Sequence, residues 1–171
     1  MVRVLISIVV FVCVISCMDQ KLYLQSIKNT DALDIDGVYI NQGDMENVDE
    51  KYCDIILFYN NSIIKQGLVL KDRLVNNIEE AIKQFHQLSK DNKTSYGVYQ
   101  LHNDEIYLEF WSPSTGGARK TTINRGKVLD KESFTITYMR TNYGGEELKV
   151  NALYTLHPLK NKPDSTNRFI K

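Results

Sequence analysis

Residues 96–111 read "YGVYQLHNDEIYLEFW", and this stretch decides the fold class. Two apolar-rich runs, 96–101 and 105–111, flank His102-Asn103-Asp104. Asn and Asp bond their own backbone and tolerate the left-handed region, so these three residues predict a tight reversal. In the second run Ile106, Leu108 and Phe110 recur at period two while Glu109 falls on the opposite face. That alternation belongs to a half-buried strand. Strands joined so closely must be antiparallel, because a parallel return needs a crossover of a dozen or more residues.

The same pattern recurs on both sides of this hairpin. Before it come "GVYI" (37–40), "DIILFYN" (54–60) and "SIIKQGLVL" (62–70). After it come "KTTINRGKVL" (120–129), "SFTITYMR" (133–140) and "LKVNALYTL" (148–156). Asn60-Asn61 and Asp130-Lys131 supply turn chemistry, and Gly116-Gly117 and Gly144-Gly145 break two longer loops. Phe134, Ile136 and Tyr138 share one face by alternation, as do Val150, Ala152, Tyr154 and Leu156. One segment has a different period: in "DRLVNNIEEAIKQFHQLSK" (72–90), Leu74, Ile78, Ala81, Ile82, Phe85 and Leu88 fall at helical spacing. Asn77 followed by Glu80 has the form of an N-terminal capping box. The expected fold is therefore mainly β: an antiparallel up-and-down barrel of about eight strands, residues 37–160, with one inserted amphipathic helix at about 74–89. Closure into a barrel removes the exposed edges.

The N-terminus sets the expected compartment. Arg3 precedes an almost wholly apolar run from Val4 to Ser16, about a dozen residues where a membrane-spanning helix needs roughly 20. A charged start, a short apolar stretch and then small residues describe a secretory signal peptide. Val14-Ile15-Ser16-Cys17 resembles the lipobox of bacterial lipoproteins. By that resemblance residues 1–16 are the signal peptide, cleavage precedes Cys17, and Cys17 carries lipid. Residues 17–36 would be the lipidated terminus and tether. Several chains hold a protein on a bilayer where one acyl chain gives only reversible binding. Met18 follows the cysteine in place of the aspartate that retains some lipoproteins in the inner membrane. The expected location is thus the bacterial envelope, at the outer membrane rather than the inner. Leu22, Leu24, Ile27, Leu33 and Ile35 are too apolar for a free linker, which predicts that part of the tether docks.

Composition excludes some functions. The chain carries 21 basic and 21 acidic residues; loss of residues 1–16 would remove only Arg3. Such balance, with no basic run longer than two, offers nucleic acid no electrostatic footprint. Cys53 is the single cysteine left after Cys13 is removed and Cys17 acylated, so no intrachain disulfide and no two-cysteine metal site is expected. It opens an apolar strand and reads as a buried, inert thiol.

Residues 97–111, the Gly-Gly loop after them and "GKVLDKESFTIT" (126–137) resemble the small lipocalin-like lipoproteins of Bacteroidetes, over roughly residues 95–140. The resemblance implies an anchored β-barrel-like domain. The helix after the third strand departs from a plain lipocalin meander. In that phylum Asp164-Ser165-Thr166 fits an O-glycosylation pattern, which makes Ser165, in the C-terminal tail (161–171), a candidate modification site.

No catalytic signature is present. His86, His102 and His157 contain no pair at i, i+4, and no Gly-x-Ser-x-Gly elbow exists. Neither a metal, a cofactor nor catalysis is expected. Arg125 shares a face with Ile123 and Leu129. In one register it points inward and, with Tyr138 and Tyr154, could hold the head group of an anionic ligand. A slip of one residue turns it to solvent. Trp111, before "SPSTGG" (112–117), either lines the barrel mouth or caps the core. The sequence leads to a membrane-anchored, non-enzymatic envelope lipoprotein that binds a small apolar or amphipathic ligand. The alternative is an accessory lipoprotein with a filled core that acts by contacting another envelope protein.

Overall fold

The structure is a computed structural model. It describes residues 19–25, 32–43, 51–113, 119–142, 145 and 147–170. Residues 1–18, with the expected signal peptide and Cys17, lie outside the described residues. Eight strands run in sequence order: β1 (Gly37–Asn41), β2 (Tyr52–Phe58), β3 (Ile63–Leu70), β4 (Tyr96–His102), β5 (Glu105–Trp111), β6 (Thr121–Asp130), β7 (Ser133–Thr141) and β8 (Glu147–Pro158). Each pairs antiparallel with the next, and β1 pairs with β8 from Gly37 opposite Pro158 to Asn41 opposite Tyr154, closing the barrel. The 105–111 strand is β5, and its turn places Asn103 at φ 56°. The 60–61 turn differs from expectation. Positive φ falls on Ser62, at 62°, because the loop runs from Tyr59 to Ile63, with the Tyr59 N–H donating to Ile63 O and the Ser62 N–H to Tyr59 O.

The expected single helix is two. α1 (Lys71–Asn76) and α2 (Ile78–Ser89) meet at Asn77, whose extended backbone (φ −161°, ψ 93°) breaks the helix. The Asn77 side chain caps α2 by accepting from the Glu80 N–H at 3.1 Å. The Asn77 N–H donates to Arg73 O instead of to Glu80, so the cap is one-sided. α2 lays Ala81, Ile82 and Phe85 against the outer face of the barrel, over Val38, Ile40, Ile55, Leu57 and Val69. Gly67 makes this approach close: a Cβ there would sit 2.6 Å from the Phe85 ring.

The barrel interior has two halves. The turns that close one end sit over an aromatic core of Tyr39, Phe58, Tyr99, Phe134 and Tyr154, all buried. Phe58 meets Tyr39, Tyr99 and Phe134 edge-on at 5.2, 4.8 and 5.6 Å, and Phe134 stacks on Tyr154 at 4.8 Å. Both geometries suit the ring quadrupoles. Leu33 packs into this core, and the Tyr39 hydroxyl lies 2.8 Å from Asp34 O and 2.9 Å from Lys131 O. The opposite end carries the longer connections after β1, β5 and β7 and is open.

Three features alter the simple meander. β4 begins at Tyr96 opposite Lys65, so Gln66–Leu70 have no partner on that side of β3. A β-bulge at Thr137 sets Ile136 opposite Gly126 but Tyr138 opposite Arg125. Gly126 accommodates it, since a Cβ would lie 1.7 Å from Thr135 O. Finally, residues 19–25 lie along the outer face of β5. The Glu109 carboxylate, fully buried, accepts from the Tyr23 and Leu24 N–H groups at 2.6 and 2.8 Å. The described part of the 17–36 segment is thus a strap on the barrel, as the apolar content of 22–35 predicts. The outer face of β5–β8 carries Glu105, Arg125, Lys127, Arg140 and Lys149 and the inner face is mainly apolar, the reverse of a membrane-spanning barrel.

Candidate functional site

A cavity of about 1390 Å³ opens at the loop end of the barrel. Its inner wall comes from alternate residues of the strands: Phe110 of β5, Ile136 and Met139 of β7, and Leu148, Val150 and Ala152 of β8. Met139 reaches the cavity because the Thr137 bulge shifts the alternation by one. The cavity continues through the gap beside Gln66–Leu70, where Gly67 and Val69 face Phe85, Leu88 and Ser89 of α2. It is therefore both a barrel interior and a lateral cleft.

Polar groups converge within these apolar walls. Asp54 precedes Ile56 and Phe58 on the inward parity of β2, and Tyr154 donates to its carboxylate at 2.6 Å. Burial pushes the Asp54 carboxyl up to about 6, against the opposing pull of the Tyr154 hydrogen bond. Burial and the neighbouring Asp54 charge raise the Tyr154 phenol well above its usual value. Asn41 lies opposite Tyr154 in the β1–β8 register, and its Oδ1 accepts from the Gly43 N–H at 2.9 Å. Its Nδ2 is buried without a partner, as is Oδ1 of Asn124 on β6. Both asparagines are more than nine-tenths buried and both line the cavity. An unpaired buried donor and an unpaired buried acceptor each cost about 1–3 kcal/mol.

A second polar cluster lies outside the cavity. Lys65, fully buried on the outer face of β3, sits beneath α2. Its Nζ donates to Tyr96 Oη at 3.1 Å and to His86 O at 3.1 Å, and lies 3.2 Å from His86 Nδ1. The ammonium also stands 4.8 Å from the Tyr96 ring centroid. Burial lowers the Lys65 amine to about 8. All its close partners are neutral, so it is a packed cation held by dipoles.

Of the four residues proposed for a ligand, only Tyr154 lines the cavity. Arg125 takes the outward register: its guanidinium pairs with Glu105 and lies 5.6 Å from the Tyr107 ring. Tyr138 is turned outward beside Arg125 and Lys149 by the bulge, which alternation alone could not reveal, and its hydroxyl bonds Glu147. Trp111 is buried on the outer face, its Nε1–H donating to Gln20 O at 2.7 Å and its ring under Lys93 Nζ at 4.3 Å. It anchors the strap. Ser165 is half-buried, and its Oγ accepts from Asn61 Nδ2 at 3.0 Å. Cys53 is partly buried, with its thiol pushed up by burial. Asn41, Asp54 and Asn124 were missed: Asn41 and Asp54 are polar residues on the inward parity of apolar strand faces, a signal present in the sequence, whereas Asn124 shares its inward face with Thr122 and Gly126 and carries no such signal. Among the described residues no cluster of His, Cys, Asp and Glu is placed to hold a metal ion.

Comparison with protein-family models, with curated proteins and with solved structures finds no match to this chain.

Proposed function

We propose that the protein is a lipid-anchored envelope lipoprotein whose barrel binds a small amphipathic molecule. The observation that carries this reading is the cavity itself. It has apolar walls around four polar residues, Asn41, Asp54, Asn124 and Tyr154. Ligand sites have that composition, mostly apolar with a few convergent polar groups. A barrel serving only as a scaffold has no need of an unpaired donor and acceptor in its interior, because apolar side chains there would be more stable. The lipid anchor is supported by the resemblance of Val14–Cys17 to a lipobox.

The reading has two separable tests. Metabolic labelling with palmitate should tag the protein, and Cys17→Ser should remove the label; an unlabelled wild type overturns the anchor. The protein should bind a fluorescent amphiphile such as 1-anilinonaphthalene-8-sulfonate or a dansylated alkylamine. Ala152→Trp, which puts an indole into the barrel part of the cavity, should weaken that binding. Binding that survives Ala152→Trp unchanged, or no binding by the wild type, overturns the cavity as a site.

A further inference from the structure

The cavity mouth and the start of the described chain lie at the same end of the barrel. Asp19 is pinned there: its carboxylate accepts from Lys93 Nζ at 2.8 Å, from the Arg119 N–H at 2.9 Å and from Arg119 Nη1 at 3.3 Å. Gln20 adds three bonds. Its N–H donates to Arg119 O, its carbonyl accepts from Trp111, and its side-chain oxygen accepts from the Thr121 N–H at 2.9 Å. Lys93 precedes β4, Trp111 ends β5, and Arg119 and Thr121 mark the entry to β6, all at the open end. Cys17 is two residues before Asp19 in the sequence, and two residues of extended chain span at most about 7 Å. A lipid on Cys17 therefore has no slack: the bilayer would lie against this end.

The same end also carries exposed apolar side chains. Leu68 and Leu148 are each 51% exposed and Leu88 is 84% exposed, and these three with Tyr52 line the cavity mouth. At the turn end the comparable exposed side chain among the described residues is Leu129. Exposed apolar residues gathered around a cavity mouth mark a contact surface. A mouth that met only water would keep polar side chains there.

We propose that the open end seats on the bilayer and that the cavity takes its ligand from the membrane as a single amphiphile. This rests on the lipid-anchor reading above. Asn41, Asp54, Asn124 and Tyr154 lie inside the barrel, and Leu68, Leu88 and Leu148 stand at its rim. An amphiphile would enter head first, its hydrogen-bonding head group meeting Asn41, Asp54, Tyr154 and Asn124. Its chain would lie between Leu68 and Leu148 and point back into the bilayer. That orientation matches a lipid beneath the barrel, whose head group already faces the protein.

The test uses the mature lipidated protein in phosphatidylcholine vesicles in which a fraction of the lipid carries a nitroxide on its acyl chain. Leu68→Cys, Leu148→Cys and Leu129→Cys, each in a Cys53→Ser background, are labelled with bimane. Quenching should be at least threefold stronger at 68 and 148 than at 129. Insertion of twelve Gly/Ser residues after Cys17 should bring 68 and 148 down to the level of 129. Equal or stronger quenching at 129 overturns the proposal, as does quenching indifferent to the insertion. So does protection of both rim probes with rising protein concentration in place of quenching, which would make the rim a contact between copies. If palmitate labels the protein and the dansylated amine still binds while the rim probes stay bright, the orientation alone fails. If palmitate leaves no label, the anchor fails first.

Discussion

The Tyr154 hydroxyl donates to the Asp54 carboxylate at 2.6 Å across the barrel interior, from β8 to β2. The bond holds a titratable group on the cavity wall and gives the site a pH-dependent character. Burial raises the Asp54 carboxyl to about 6, so the cavity holds a carboxylate at neutral pH and a neutral acid near pH 5. Binding of a dansylated alkylamine should tighten several-fold as pH rises from 5 to 7. A neutral dansyl amide should bind almost independently of pH. Fluorescence titrations at both pH values in the wild type and in Asp54→Asn check this; the variant should lose the dependence for the amine.

The same shift bears on stability. The folded-state value lies above that of an unfolded chain, so folding favours the protonated carboxyl. Stability from this group is fully present below about pH 4 and is lost as pH rises through about 6. Asp54→Asn removes the burial cost of the charge while keeping an acceptor for Tyr154. The variant should be more stable than wild type at pH 7 by roughly 1–3 kcal/mol, at about 1.4 kcal/mol per pKa unit. The difference should vanish at pH 4. Denaturant midpoints at the two pH values decide it.

Lys65 and Lys162 predict the opposite slope at higher pH. Burial lowers each amine to about 8. Lys162 reaches the carbonyls of Ile35 and Phe58, which are neutral like the partners of Lys65. Below about pH 8 both states are protonated and the cost of burying the charges is complete. Between about 8 and 10.5 the folded state releases protons that the unfolded chain keeps, so stability should rise with pH. Thermal unfolding from pH 7.5 to 9.5 should show the increase, and Lys65→Met with Lys162→Met should flatten it.

Much of the fold is legible from local chemistry. The alternation of Ile106, Leu108 and Phe110 and the Asn103-Asp104 turn yield β5 with the expected bounds, Glu105–Trp111. Asn77 sits where it caps α2. The site is less legible, because it depends on registers that sequence parity does not carry. The Thr137 bulge has no Gly or Pro on its own strand; the glycine that permits it, Gly126, lies on the neighbouring strand. Parity therefore puts Tyr138 with Phe134 and Ile136, whereas the bulge turns it out and puts Met139 in. Parity puts Ile123 and Leu129 inward and Asn124 out, whereas the register turns Asn124 into the cavity. Glu109 reads as a solvent-facing strand residue. Its partners are backbone amides 85 and 86 residues earlier, and no side-chain pattern announces them.

That strap gives a further prediction. Glu109 is fully buried and holds two backbone N–H groups and Asn142 Nδ2, the last at 3.3 Å. Hydrogen bonds to a charged group contribute about 1.5–3 kcal/mol each, and orphaned donors add their own cost. Glu109→Ala should lower stability by about 3 kcal/mol and speed hydrogen exchange at Tyr23 and Leu24 by more than tenfold. Exchange in β7 and β8 should change only in proportion to the lost global stability. Asp19→Ala, whose ion pairs are partly exposed, should cost under about 1 kcal/mol.

The packing of α2 on β3 is decided at one point, Gly67 against Phe85. A Cβ at position 67 would lie 2.6 Å from Phe85 Cε2 and 3.1 Å from Cζ, inside any allowed carbon contact. Gly67→Ala must therefore displace the Phe85 ring. Overpacking of this kind costs about 1–3 kcal/mol, which outweighs the roughly 0.4–1 kcal/mol that an alanine gains over glycine through the unfolded chain. Phe85→Leu alone removes apolar contact and should cost about 1 kcal/mol. The two changes share one space, so the double variant should be more stable than the sum of the single effects predicts, by 0.5 kcal/mol or more. Urea unfolding of the four proteins measures that coupling. Strict additivity would show that α2 does not rest on β3 at this glycine.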